Sequence, residues 1–202
     1  EINPKHVQAK YNLGTLLYCL GDVLGAEENL ANAATVAPHF VQASVNLAVM
    51  YAEQGEGEAA KAELKAAINV DPRHRRAHLN LALLLLSGVL IDEDPATTCK
   101  SALGHLRRVV ELEPMNAEGH HCLGAALLHA ALRNDIASTR TGVGVRAVAR
   151  RELMIEALVH YRAAAELQES SDCARPTPYA SVLATEGLSA GFSSGRSVSL
   201  NT

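Results

Sequence analysis

Asn12, Asn46 and Asn80 stand 34 residues apart, each directly before a leucine. Asparagine is a mediocre helix former, so its recurrence points to a task. Its amide can donate to and accept from a peptide backbone, which suits sequence-tolerant binding; the same group can instead bond between helices. A fourth member would fall at Cys122, where the ladder stops. His121, Cys122 and His129 bring metal-ligating types together, but the histidines are two helical turns apart, beyond the i, i+4 spacing of helical zinc pairs. Cys19, Cys99, Cys122 and Cys173 form no CxxC pair, which argues against a zinc knuckle or disulfide framework. Gly142-Val143-Gly144 lacks the Lys-Ser/Thr of a phosphate loop. No nucleophile elbow or distinctive carboxylate pair stands out. The expectation is therefore no catalytic residue, no cofactor and no metal.

Cations cluster at Arg73-His74-Arg75-Arg76 with His78, and at His105-Leu106-Arg107-Arg108. Such a patch can meet an acidic partner or phosphates, or be a solvated turn and outer face. The whole chain is mildly acidic, with a net charge of -4 over 202 residues. That balance, with aromatics at only 3%, argues against nucleic acid as the ligand. Scattered thiols fit a reducing compartment, with the cytoplasm favoured. The longest apolar run, Leu79–Ile91, is too short to span a bilayer.

Positioning these groups requires helices, because the apolar content is mostly Ala, Leu and Val. Those residues repeat. Leu13, Leu47 and Leu81 are spaced by 34, as are Ala26 and Ala60, Leu30 and Leu64, Ala33 and Ala67, and Pro38 and Pro72. The next step lengthens to 42 for Leu123, Ala102 and Pro114, and Ala102 to Ala157 is 55. Recovery of the frame after each change places the extra residues in loops, around Leu90–Ala96 and within 132–152. There Asp92, Asp94, Pro95, Asn134-Asp135 and Ser138–Gly144 read as loop, and Arg146–Glu152 as an extension of the next helix.

Small residues follow the first leucine: Gly14, Ala48, Ala82 and Gly124. They let two helix backbones approach. Ala26, Ala60, Ala102 and Ala157 open the second helix of each pair to the same contact. Four residues on come the knobs Leu30, Leu64, Leu106 and Tyr161, then Ala33, Ala67, Val109 and Ala164, all on one helical face. Pro38, Pro72 and Pro114 end the second helices. Gly21 and Gly55 fit the turns between paired helices.

This pattern resembles the tetratricopeptide repeat, whose signature is W-x2-L-G-x2-Y, A-x3-F and P with a 34-residue period. Leu13-Gly14, Leu47-Ala48-x2-Tyr51, Ala26-x3-Leu30 and Ala60-x3-Leu64 carry the match over roughly Val7–Gln168. Lys10, Ser44, His78 and His120 hold the tryptophan position, a departure that costs packing. The resemblance implies an all-α, right-handed solenoid of helix-turn-helix units at 7–40, 41–74, 75–116 and 117–169. Residues 1–6 read as the end of a preceding repeat, since Glu1-Ile2-Asn3-Pro4 matches Asn69-Val70-Asp71-Pro72. Residues 170–202, rich in Ser, read as a flexible tail, in which Tyr179–Glu186 can form a short capping helix.

The family's concave groove would then be lined by Gln8, Tyr11, Thr15, Tyr18 and Cys19; by Gln42, Val45, Val49, Ala52 and Glu53; by Arg76, Leu79, Leu83, Leu86 and Ser87; and by Glu118, His121, Ala125, Leu128 and His129. With Asn12, Asn46 and Asn80 beside it, such an apolar centre and polar rim suit a peptide or amphipathic helix, unless part of it is buried against neighbouring helices. The pockets expected to set specificity are Val49, Leu79 and Leu83, with Arg76 selecting acidic neighbours. Family members that clamp a C-terminal carboxylate use lysines, asparagines and an arginine. Tyr11, Thr15, Asn46, Arg76 and Asn80 stand in that register, and only Asn46 and Arg76 fit, which argues against Hsp70 or Hsp90 tails. The resemblance thus implies a non-catalytic scaffold or adaptor for a protein or peptide partner. An alternative, motivated by the asparagine ladder, is the substrate-recognition arm of a larger enzyme, such as an O-GlcNAc-type or membrane O-mannosyl glycosyltransferase.

Overall fold

The computed structural model describes residues 4–88, 94–133 and 143–169. The chain divides into two units, residues 1–167 and 168–202, and the hairpins below belong to the first. Eight helices follow one another: α1 (Pro4–Cys19), α2 (Val23–Val36), α3 (Val41–Glu53), α4 (Gly57–Val70), α5 (Arg75–Leu86), α6 (Pro95–Leu112), α7 (Ala117–Arg133) and α8 (Val143–Glu169). No strand occurs among the described residues. Consecutive helices pair into hairpins, α1 with α2, α3 with α4 and α5 with α6, and each second helix also packs on the helix that follows it. This all-α solenoid is the expected fold class.

In the α1–α2 and α7–α8 hairpins a small residue faces a large one. A methyl group added at Gly14 would lie 2.8 Å from Leu30, and one at Gly124 would lie 3.2 Å from the carbonyl oxygen of Ala157 and 3.3 Å from the Tyr161 ring. Ala26, Ala60, Ala102 and Ala157 are all buried, as are the knobs Leu30, Leu64 and Leu106. Tyr161 is half-buried. Helix ends are made locally. Asp22 accepts a hydrogen bond from the Gly25 amide, Asp94 from Thr97 and Asn116 from Gly119. Gly21 and Gly55 take positive φ between the helices of the first two hairpins.

Between hairpins, Leu47 joins a cluster with Ala26, Leu30 and Met50. Tyr51 donates to Glu27 at 2.9 Å across the same seam; burial and this carboxylate push its phenol up to about 12. The leucine frame is not uniform, however. Leu47, Leu81 and Leu123 are buried, but Leu13 is 47% exposed. The burial of this position comes from the second helix of the hairpin before it, and α1 has none among the described residues.

Three loop assignments change. Asp94 caps α6 and Pro95 is among its first residues, so both belong to the helix start. Val143 and Gly144 belong to α8. Residues 89–93 and 134–142, the remainder of the expected loops, lie outside the described residues, as do the tail and its Tyr179–Glu186 cap.

Leu103 and Leu158 occupy the same repeat position in α6 and α8, but one is 3% and the other 68% exposed. Urea denaturation should therefore show Leu103→Ala losing about 2–5 kcal/mol and Leu158→Ala staying within about 0.5 kcal/mol of the parent. Equal losses would contradict this packing.

Candidate peptide-binding groove

The first helices stand side by side, α1 against α3 and α3 against α5. The α1–α3 seam is polar. Asn46 donates from its Nδ2 to the Tyr11 hydroxyl at 3.1 Å and to Thr15 Oγ1 at 3.2 Å. Thr15 in turn donates to the Tyr11 carbonyl at 2.9 Å. The Tyr11 ring meets Phe40 edge-on, with centroids 5.2 Å apart. At the far end of the seam the Tyr18 hydroxyl donates to Glu53. Partial burial raises the Glu53 carboxyl above the ordinary glutamate value.

The three asparagines are thus not equivalent. Asn46 commits its amide hydrogens to α1. Asn12 is exposed, and its Oδ1 accepts from Gln8 at 3.0 Å within the same helix. Asn80 is half-buried on α5.

The apolar centre also divides. Val45, Leu79 and Leu83 are buried core residues, so the expected pockets at Leu79 and Leu83 correct to packing positions. The cause is the composition of α5, where Leu81, Ala82, Leu84 and Leu85 are buried as well; a helix apolar all round sinks into the solenoid. Val49 and Leu86 remain half-exposed, and Arg76 is exposed. His121 is exposed and stands edge-on to Tyr161 at 5.5 Å. Burial, with Glu118 nearby, pushes the Cys122 thiol up to about 12, which leaves it protonated and poorly nucleophilic at neutral pH.

The two basic runs do not form one patch. His74 turns its Nδ1 to the Ala77 amide and caps α5. Arg75 pairs with Glu113 at 2.9 Å and Glu118 at 3.4 Å. Arg107 binds Glu156, and Arg108 binds Glu111. His78 is buried against His105, with their Nδ1 atoms 2.9 Å apart. His120 and His160 repeat that arrangement at the same distance. These pairs were not anticipated, although their signal lay in the sequence: both members recur in the repeat frame, 42 and 55 residues on.

Residues 17–84 match the sequence profile of the tetratricopeptide repeat. That stretch carries tetratricopeptide repeats. Solved structures agree in fold. MamA from Desulfovibrio magneticus RS-1 superposes with a TM-score of 0.57 at 19% identity, over 83% of this chain and 78% of that one. The first tetratricopeptide domain of Spaghetti (RPAP3), bound to the HSP90 peptide SRMEEVD, gives 0.56 at 16% identity, over 64% and 99%. A Thermobaculum terrenum O-GlcNAc transferase mutant gives 0.54 at 22% identity, over 78% of this chain and 26% of that one. No match was found among curated proteins. The tetratricopeptide fold supports a protein-interaction scaffold in general. No described helix is long and apolar enough to cross a membrane.

Because Asn46 satisfies two hydroxyls of another helix, Asn46→Ala should cost about 1–2 kcal/mol in thermal or urea unfolding. Asn12→Ala should stay within about 0.5 kcal/mol. A neutral Asn46→Ala would mean that the amide does not tie α1 to α3.

Proposed function

We propose that the chain is a non-catalytic adaptor holding an extended peptide or helical segment along α1, α3 and α5. One observation carries this reading. The α1–α3 seam is closed by its own hydrogen bonds, while Tyr18 with Glu53, Val49, Leu86 and Arg76 are half-exposed or exposed beside it. A closed seam gives a stiff floor, and a stiff floor lowers the ordering cost of binding. The half-exposed apolar side chains supply contact area, and the two charges supply direction. A ligand with a basic group toward Glu53 and an acidic group toward Arg76 is complementary. Protein rather than nucleic acid is the proposed ligand, in keeping with the acidic balance of the chain.

The likeness to a domain that holds an HSP90 peptide supports groove binding as a mode. The residues do not support the same ligand. In the clamp register Tyr11 and Thr15 stand where lysine and asparagine would be needed, and the Asn46 amide hydrogens face Tyr11 and Thr15. The alternative as a recognition arm of a glycosyltransferase loses support for the related reason that an asparagine ladder needs free amides, and Asn46 has spent its hydrogens.

Panning a random peptide library on the immobilised chain tests the proposal. Enriched peptides should carry an acidic residue at a fixed distance from a basic one. Val49→Glu should weaken capture at least tenfold, and Arg76→Glu should shift the selected acidic position to a basic one. Capture indifferent to both substitutions, in chains with unchanged helical content, would exclude this groove.

A further inference from the structure

The histidine pairs are built alike. His78 Nε2 lies 3.1 Å from the Pro72 carbonyl oxygen, and His120 Nε2 lies 2.9 Å from that of Pro114. A carbonyl only accepts, so each Nε2 carries the hydrogen and donates. In the neutral ring the Nδ1 of His78 or His120 is then an acceptor. It faces the Nδ1 of His105 or His160 at 2.9 Å, so that nitrogen must be the donor. The rings are tilted by 39° and 36°, with centroids 5.2 and 5.1 Å apart. Both pairs join the first helix of a hairpin to the second. The same two positions hold Lys10 and Asn29 in the first hairpin, and Ser44 and Glu63 in the second.

One added proton is tolerated, because it can sit on the Nε2 of His105 or His160 and leave one N–H between the facing nitrogens. A second is not. It places N–H against N–H at hydrogen-bond distance, in a region where His78 is buried. We infer that His78–His105 and His120–His160 are acid-sensitive latches, closing the last two hairpins while each pair holds at most one extra proton and opening them when each ring is charged.

The surroundings favour the closed, uncharged form. Burial, His78 and then Lys65 from α4 hold His105 below the ordinary histidine value. His74, the N-cap of α5, interacts electrostatically with His78. Lys61 and Asp94 line, with Lys65 and His105, a cavity of about 310 Å³. Burial, His120 and Arg107 from α6 lower His160, against a raising effect of Glu156 on its own helix. Arg107 and Glu156 pair with each other at 2.9 Å. The sign follows from linkage. Unfolded rings accept protons near pH 6.5, and the folded His105 and His160 resist. Stability is full above about pH 6.5 and falls as pH drops through the lower folded values. The unfolding constant should rise up to roughly tenfold per pH unit for each proton refused.

The test compares urea midpoints of the intact chain at about pH 7.5 and 5.0 with those of His105→Asn/His160→Asn. Asparagine Nδ2 can donate to the neutral partner, and Oδ1 can accept from the charged one, so this variant should lose at least half of the acid-induced shift. The exposed control His39→Asn should retain it. Hydrogen exchange, corrected for intrinsic rate, should speed up on acidification in α5–α8 more than in α1–α4. Equal shifts in parent and double variant would overturn the inference. If the double variant does not fold, nitrogen NMR of the parent decides at neutral pH. Nδ1–H tautomers at His105 and His160, with Nε2–H at His78 and His120, support the latches, and Nε2–H at all four refutes them.

Discussion

Close approach of two helices, repeated along the chain, is the constraint on which everything else depends. At Gly14 and Gly124 there is no room for a methyl group without moving a neighbouring side chain or backbone. Leu30 fills the space beside Gly14 on the facing helix, and Leu64 and Leu106 are as fully buried in their own hairpins. Dispersion and burial are gained only at that distance, since an interior with sub-ångström gaps forfeits much of its contact energy. The seam between hairpins is a second use of the same logic, with Leu47 entering the space beside Ala26 and Leu30. The row of first helices is a consequence of these two seams, and the groove residues stand where they do because the seams put them there.

This explains what could be read directly from the chain. A spacing rule that holds for Leu, Ala and Pro together has few structural solutions, so the helical solenoid was legible. Burial was less so, because it depends on what lies beyond the repeat. Leu13 obeys the leucine frame as well as Leu47 does, yet it lies open, because no described helix stands before α1 to cover it. Leu79 and Leu83 occupy groove positions by count, but α5 is apolar on nearly every face and sinks. Asp94 and Pro95 looked like loop by composition; their cap and first-turn roles follow from the helix they open. A count gives the angle around a helix, and the neighbours decide whether that angle meets solvent.

Polar residues were harder still, since the same position can serve different ends in successive repeats. Asn12 bonds within its helix, whereas Asn46 bonds to the next one. The tryptophan position shows the same divergence. Histidine there could be read as lost packing, but His78 and His120 each gain a backbone carbonyl and a second ring. The repeat of both partners in frame was visible, and its meaning was not, because only a fold that apposes the two helices turns a spacing into a hydrogen bond.

The division of polar chemistry between the two halves follows from the architecture. In a solenoid each hairpin contacts mainly its neighbours, so stability is close to a sum of local terms. A hydroxyl and amide network can therefore knit α1 to α3 while histidine pairs knit α5 to α6 and α7 to α8, without either compromising the other. The amide and hydroxyl groups keep their protonation across the physiological range, and the imidazoles do not. A fall in pH thus acts on the last two hairpins and leaves the Asn46 network unaltered. Where a ligand lies along α1, α3 and α5, the Asn46 floor between α1 and α3 is indifferent to protons, whereas the Glu53 carboxyl at its end and the α5 half are titratable.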